Sequence, residues 1–476
     1  MPSSPPENAA ATWGNACTET SPLLQNPDLA TAPNCAQTDE DCAERRENIV
    51  DESCRLTTSW QLEAKTITMW SAPLIVTHLL QRSISVSSVF AVGRIGPTEL
   101  GAVSLASITA GLIGNSLIQG LATSLDTLAA QAYGSGNHHL VGLHMQRMIC
   151  FILPCVVPLM ILWWKADELL VLVLQDRRLA ELTGVYLKIM CFRMPAFVLF
   201  ECGKRFVQAQ GIFNATPCVL LVAAPFNALT MWLLVWRLDW GFVGAPIAIA
   251  ITENLMPVLL VVYVLLVDGS QCWGGFTRKT FSNWGPMMRL ALPGMMMHVA
   301  EFAVEEILTM VSARFGTAHL AAQSALVTIV TLTYNIPLAV SVAASNRVAN
   351  WIGAQATGPA KTAAKVTVVL GLIISSFIMV TLFSLRHQIP RLFTRDAEVK
   401  EILVSVLPLV ICMQVFDAFS VLSHGLLRGI GSQDVGGYVN LVVYYVVALP
   451  TSLVTAFPLD WKLHGLWTGV TTGLCM

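Results

Sequence analysis

The sequence has few charged residues for its length. Asp, Glu, Lys and Arg together make up 12% of the 476 residues, whereas 54% are hydrophobic. Soluble globular domains contain about 25% charged residues. The low charge and a mean hydropathy of +0.62 exclude a soluble globular protein and predict a polytopic membrane protein.

Basic residues are also not in excess. The chain has 28 Lys and Arg against 30 Asp and Glu, which gives a formal net charge of -2. A protein that binds the nucleic-acid backbone needs clustered Lys and Arg. We therefore expect no nucleic-acid partner.

Several sequence signatures of catalysis and metal binding are absent. The chain has no GxxxxGK[ST] stretch to hold ATP phosphates, and neither HExxH nor GxSxG occurs. The twelve Cys residues form no CxxC pair, so free thiols are expected and a zinc site is not. These absences predict a protein that is not an enzyme, with no metal and no cofactor.

The N-terminal segment, residues 1–62, is polar and rich in Pro, Asn, Thr and acids. It lacks the apolar stretch of a signal peptide, and its composition predicts a disordered cytosolic tail. Glu19, Leu23 and Leu24 form an acidic dileucine pattern, which is typical of sorting signals read by adaptor proteins. The sequence therefore predicts a sorting adaptor as a partner and a vacuolar or plasma membrane location.

Hydrophobic segments of spanning length follow this tail with short connections. They cover residues 67–93, 101–124, 147–164, 185–202, 217–236, 243–267, 284–313, 318–343, 363–385, 401–424 and 437–457. A twelfth begins near Gly465, but the eleven residues that follow reach only about 17 Å as a helix, against a hydrocarbon core of about 30 Å. We expect this last span to be incomplete, and an even number of spans to place both termini in the cytosol.

An internal repeat divides the chain. The DWxxxG pattern occurs at 239–244 and again at 460–465, about 220 residues later, and at nearly the same offset Gly134 aligns with Gly353. Corresponding helices then run in the same direction, with a cavity between the halves. The predicted fold class is an all-α polytopic membrane protein of two pseudo-symmetric six-helix bundles: an N-terminal lobe (63–268), a linker (269–283) and a C-terminal lobe (284–476) whose last span is incomplete.

The seventh predicted span contains three acids. Glu301, Glu305 and Glu306 lie about midway along it, where an ionised carboxylate costs roughly 2.5–3.5 kcal/mol on insertion scales. Pro293 and Gly294 precede them and predict a bend with its freed backbone groups away from lipid.

Helical spacing places His298, Glu301 and Glu305 on one face, with Glu306 turned about 100° away. Two like charges one turn apart oppose ionisation of both, which predicts that the pair binds and releases a proton. The alternative is an acid cluster that faces a solvated cavity or pairs with Arg.

Other polar residues within predicted spans are cavity-lining candidates or ion pairs. Glu201 and Arg205 have i, i+4 spacing and are predicted to pair. Glu253 either lines a cavity in the N-terminal lobe or pairs with Arg193. The remaining candidates for the cavity lining are His298, Tyr334 and Asn335.

Five stretches resemble signature sequences of eukaryotic multidrug and toxic compound extrusion (MATE) transporters. They are LATSLDTLAAQAYGSG (121–136), RFVQAQGIFNATP (205–217), WGPMMRLALPGMMMHVAEFAVEEIL (284–308), IPLAVSVAASNRVANWIGA (336–354) and LLRGIGSQDVGGYVNLVVYYVVALP (426–450). The resemblance runs from about residue 60 to the end of the chain and carries no information on the substrate.

This resemblance implies roles for particular acids. Glu301, Glu306 and Asp417 match family positions that are linked to proton coupling and cation binding in the C-terminal lobe. Glu305 departs from the family pattern, which usually has an apolar residue there, so helix geometry favours Glu301 with Glu305 while the family favours Glu301 with Glu306. Bacterial proton-coupled relatives use an Asp in the first span, where this chain has Arg82 and no acid, so coupling of that type is not expected.

The function that the resemblance implies is secondary antiport. Organic cations, drugs or toxic metabolites would leave in exchange for protons, in a monomer that contacts membrane lipids, with H+ as the coupling ion. One alternative is Na+ coupling or a flippase for lipid-linked sugars. Another is a receptor or scaffold that has lost transport, and the short last span is the reason to consider it.

Overall fold

The computed structural model describes residues 58–173, 176–394 and 396–476. The predicted sorting signal at Glu19, Leu23 and Leu24 lies outside these ranges, as does most of the predicted tail. Across the described ranges the secondary structure is helical, and no strand occurs among them.

Twelve helical elements, α1 to α12, follow one another along the chain. Their bounds are α1 Trp60–Val92, α2 Pro97–Gly134, α3 His138–Trp164, α4 Arg177–Cys191 with Met194–Ala209, α5 Ala215–Arg237, α6 Gly241–Leu266, α7 Gly285–Ser312, α8 Thr317–Gly353, α9 Thr357–Leu385, α10 Ala397–Ile430, α11 Gln433–Ala456 and α12 Lys462–Cys475. Short helices at Ala166–Val173 and Ile389–Phe393 precede α4 and α10.

Within the described ranges, nine of these helices are long and apolar enough to cross a membrane, or ten if the two parts of α4 form one span. The other two are α7 and α12. The 28 residues of α7 include Arg289 and the three acids, which lower its hydropathy, and α12 has 14 residues.

Several helices extend beyond the predicted spans. Helix α1 begins at Trp60, inside the segment assigned to the tail, because the Ser59 side chain accepts a hydrogen bond from the Leu62 amide and caps the first turn. Helix α8 has 37 residues and continues to Gly353. Hydropathy locates the apolar middle of a membrane helix, so a prediction based on hydropathy omits the polar turns at the ends of the helix.

Proline affects α4 and α7 differently. The two parts of α4 meet at an angle of 53°, where sequence hydropathy predicts one span over 185–202. Pro195 follows the break and lacks the amide that would continue the hydrogen-bond ladder. Helix α7, by contrast, continues through Pro293 without an interruption.

Three apolar cores organise the helices. One lies in the N-terminal half and includes Met287 and Leu290 from the first part of α7. A second lies in the C-terminal half and includes Val304 and Leu308 from the later part of α7. The third joins Ile67 and Leu74 of α1 to α8 and α9. Helices α1 and α7 therefore connect the two halves.

The C-terminal ends of α2 and α8 cross in close contact. A Cβ atom on Gly134 would lie 2.7 Å from the carbonyl carbon of Asn350, and one on Gly353 would lie 2.8 Å from that of Gln131. Since Gly134 and Gly353 occupy matching positions of the internal repeat, each helix contributes the same residue to the crossing. We call this end of the bundle the glycine-sealed end.

Polar contacts between the halves also lie toward the glycine-sealed end. Glu63 at the start of α1 accepts two hydrogen bonds of 2.8 Å from Arg347 of α8 and one of 3.2 Å from the indole of Trp351. Gln131 donates to the Gly429 carbonyl, and Gln433 donates to the Thr127 hydroxyl. Among the described residues, the halves are thus tied together at this end.

Candidate functional site

Helix α7 places Glu301 and Glu305 one turn apart on one face. Both residues are partly buried, and Glu301 lines a cavity. The Tyr334 hydroxyl of α8 lies within hydrogen-bonding reach of Glu301. Asp417 of α10 is close enough to both glutamates to interact with their charges. Acids of α7 and α10 therefore lie within electrostatic range of one another.

Two further side chains reach this acid cluster. Tyr444 lies on the π-helical segment Val442–Ala448 of α11 and interacts with the charges of Glu301 and Asp417. A π-helical turn contains one residue more than an α-helical turn, so its side chains point in directions that differ from those of a regular α-helix. Arg82 of α1 interacts with the charge of Glu305 and brings a cation from the N-terminal half to the acids.

Glu306 has a different setting from its neighbour Glu305. One residue of helix turns it about 100° away, and its charge acts on Glu305. The structure thus groups Glu305, rather than Glu306, with Glu301 and Asp417. The coupling roles of these acids remain predictions.

A cavity of about 360 Å³, including the part that is open to solvent, lies beside the acid cluster. Helices α2, α7, α8 and α10 line it through Thr123, Gly294, Met297, His298, Glu301, Tyr334, Leu338, Val421, His424 and Arg428. The predicted candidates His298 and Tyr334 are in this lining.

Histidine side chains form part of the lining. His298 stacks on Phe302, with ring centroids 5.8 Å apart and an interplanar angle of 17°. The Nε2 atom of His424 lies 2.9 Å from the Asn440 side-chain oxygen, which fixes the orientation of its ring.

Two predicted lining candidates lie elsewhere. The Asn335 amide donates a 2.9 Å hydrogen bond to the Thr331 carbonyl within α8 and is not part of the lining of this cavity. Glu253 of α6 pairs with Arg193 at the break in α4, which is the second of the two alternatives that the sequence predicts. A buried carboxylate beside a guanidinium is stabilised by the ion pair, so it points toward that partner.

A buried ionic cluster lies next to the cavity. Glu201 pairs with Arg205 at 2.7 Å, as the i, i+4 spacing predicts, and with Lys204 at 2.8 Å. Asp126 lies 3.3 Å from Arg205 and 3.9 Å from Arg428. Asp126, Glu201, Lys204, Arg205 and Arg428 are referred to below as the ionic cluster.

Sequence reasoning missed Arg428, His424 and Tyr444 as members of the site. The only available signal was the presence of basic and aromatic polar groups inside apolar helices. Within the described ranges, no group of three or more His, Cys, Asp and Glu side chains could hold a metal ion.

Two helical halves that enclose a polar cavity within a membrane are the architecture of a membrane transporter. The MatE family model matches residues 73–233 and 293–454, one match in each half. The chain therefore belongs to the MatE family of multidrug and toxin extrusion transporters.

Curated relatives agree with this assignment. The chain is 39% identical over 414 residues to an uncharacterized transporter of Schizosaccharomyces pombe, a match that covers 87% of this chain and 77% of that one. It is 31% identical over 419 residues to multidrug and toxin extrusion protein 1 of Homo sapiens, covering 88% of this chain and 73% of the human protein.

The fold matches a solved structure. The eukaryotic MATE transporter AtDTX14 superposes with a TM-score of 0.83 at 27% identity, over 87% of this chain and 94% of that chain. The predicted all-α fold of two six-helix bundles is confirmed.

Proposed function

We propose that the protein is an antiporter that exports organic cations in exchange for protons. The observation that carries the proposal is the position of Glu301 in the wall of a cavity within the membrane, with Glu305 and Asp417 within range of its charge. A carboxylate in such a place binds either a proton or a cationic ligand, so that binding of one displaces the other.

The surroundings of the acids support this exchange. Tyr334 and Tyr444 supply hydroxyls and aromatic surface, and aromatic faces attract organic cations. Helix α7 contacts both apolar cores, so a change in the charge of its acids acts on the helix that connects the two halves. The name of the human relative supports multidrug and toxin substrates.

Transport in vesicles tests the proposal. Purified protein is reconstituted into liposomes, and efflux of a fluorescent organic cation is followed under an imposed pH gradient and then under a Na+ gradient. We expect efflux that follows the pH gradient and falls at least about tenfold in Glu301→Gln, because the amide cannot exchange a proton or hold a cation by charge.

A matched control is available on the surface. Glu181 pairs with Arg177 at 2.9 Å in an exposed ion pair, and exposed pairs contribute about 0–1 kcal/mol, so Glu181→Gln is expected to keep normal transport. Efflux driven by Na+ alone, or undiminished in Glu301→Gln, would reject proton coupling through this acid.

A further inference from the structure

The ionic cluster contains more cations than carboxylates. Lys204 and Arg205 share Glu201, and Arg205 and Arg428 share Asp126. Three cationic side chains are thus set against two carboxylates. All five side chains are buried, with at most 9% of any side chain exposed, and a buried charge without compensation is costly.

Arg428 is the member with the weakest compensation. Its distance of 3.9 Å from Asp126 is longer than the 2.7–2.9 Å of a charge-assisted hydrogen bond. One terminal nitrogen donates to the Ser341 hydroxyl at 3.2 Å. Among the described residues, its buried Nε atom has no hydrogen-bond partner, and the same holds for the Nε atom of Arg205.

Arg428 is also the member that reaches the cavity. It lines the same space as Glu301, together with Thr123 and His298, whereas Lys204 and Arg205 are not part of that lining. His298 adds a buried Nδ1 atom without a partner. The cavity therefore has a carboxylate in one wall and an under-compensated guanidinium in another.

A ligand carboxylate would supply the negative charge and the hydrogen-bond acceptor that Arg428 lacks. It would balance the third cation and accept a hydrogen bond from the free Nε, and hydrogen bonds between a guanidinium and a carboxylate are among the strongest that proteins form.

We propose that Arg428 forms an anion subsite and that the preferred substrates are zwitterions. The cationic group binds at Glu301 and Asp417, and the anionic group binds at Arg428. This proposal rests on the proposed cation exchange and specifies the substrate class for the same cavity. Arg428 lies eleven positions after Asp417 on α10, about 16 Å along the helix axis, which gives the scale of the chain lengths to be tested.

The test uses pairs of substrates that differ in one charge. Trimethylammonium alkanoates of increasing chain length are compared with their methyl esters, which keep the cation and lose the carboxylate. In vesicles with a fixed pH gradient, we expect the acid to show a KM about tenfold below that of its ester at the best chain length, the scale of a hydrogen bond to a charged group.

Arg428→Gln is expected to remove this difference. The ratio of the KM for the ester to the KM for the acid is expected to fall from about ten to about one. If Arg428→Gln fails to fold, Ser341→Ala offers a milder change. It removes the hydroxyl that accepts from the guanidinium and that donates to the Val421 carbonyl, and the acid is expected to lose more affinity than the ester.

Different outcomes reject the two proposals separately. Transport of the ester with no advantage for the acid at any chain length would reject the anion subsite and leave cation exchange intact. Equal losses for acid and ester in Arg428→Gln would also reject it and make Arg428 an internal partner of Glu301. Transport of neither compound by the wild-type protein under a pH gradient would count against the proposed function itself.

Discussion

Glu305 and Glu306 are neighbours in sequence with different surroundings in space. Glu305 interacts with the charges of Glu301, Glu306 and Arg82 and lies one helical turn from Glu301. The family resemblance nevertheless favours Glu306 as the partner of Glu301. The contacts of α7 instead favour Glu305 as the partner of Glu301.

We therefore expect Glu305→Gln to reduce transport more than Glu306→Gln does. The loss of Glu305 removes a charge that Glu301, Asp417 and Arg82 all experience, whereas Glu306 is turned toward another side of the helix. The initial rates of cation efflux under one pH gradient, normalised to protein in the membrane, measure the difference. A larger loss in Glu306→Gln would mean that the family pattern, and not the arrangement on α7, identifies the second coupling acid.

The residues of the site differ in how far sequence can locate them. Helical periodicity is sufficient to place His298, Glu301 and Glu305 on one face, because all three lie on one helix. Tyr444 depends on a π-helical segment, and the role of Arg428 depends on its contact with Asp126 of a distant helix. Neither relation leaves a pattern in a single sequence.

At the scale of the helices, the crossing of α2 and α8 depends on the absence of two side chains. A Cβ on Gly353 would press against the backbone of Gln131, and backbone cannot move aside as a flexible side chain does. Added volume in a well-packed place costs about 1–3 kcal/mol.

Gly353→Ala is accordingly expected to lower the melting temperature of the protein in detergent. Gly358→Ala is the matched control, since a Cβ there meets nothing within 4 Å and the residue is exposed. Thermal unfolding of both variants, followed by intrinsic tryptophan fluorescence, gives the comparison. Equal melting temperatures would show that the crossing can separate without loss of stability.

The positions of the membrane-spanning helices can be predicted from the sequence, but the irregularities within these helices cannot. Apolar runs of spanning length locate most helices, because the bilayer core requires them. The bend in α4 and the π-helical segments at Ala110–Asn115 and Val442–Ala448 depend on packing against other helices. Hydropathy does not distinguish them from straight helix.

At the scale of the whole molecule, the two halves have similar folds and different chemistry. In the N-terminal half, Glu253 is already paired with Arg193. In the C-terminal half, Glu301 and Asp417 remain beside the cavity. The internal repeat predicts the shared architecture, but only the individual charges and their partners distinguish the chemistry of the two halves.

The tie between Glu63 and Arg347 holds these halves together at the glycine-sealed end. Glu63 is fully buried, and Arg347 also lies over the rings of Trp351 and Trp70, at 4.5 and 5.6 Å from their centroids. Removal of one member of a buried ion pair costs about 3–5 kcal/mol, because the other charge stays buried alone.

We expect Arg347→Gln to loosen the glycine-sealed end and the double variant Glu63→Gln/Arg347→Gln to recover part of the lost stability. Hydrogen exchange of the amides in the last turns of α8 reports the opening, and thermal unfolding reports the stability. A double variant as unstable as Arg347→Gln alone would show that the contact of Arg347 with the tryptophan rings, rather than the ion pair, stabilises this end.

The glycine crossing also has a consequence for the speed of opening. Where two helices meet through interlocked side chains, separation requires each side chain to leave its rotamer before the next can move. Gly134 and Gly353 bring backbone against backbone, so few side-chain rotations oppose separation there, and the polar contacts supply most of the resistance. If the halves separate at this end, we therefore expect the polar contacts, rather than the crossing of α2 and α8, to set the rate.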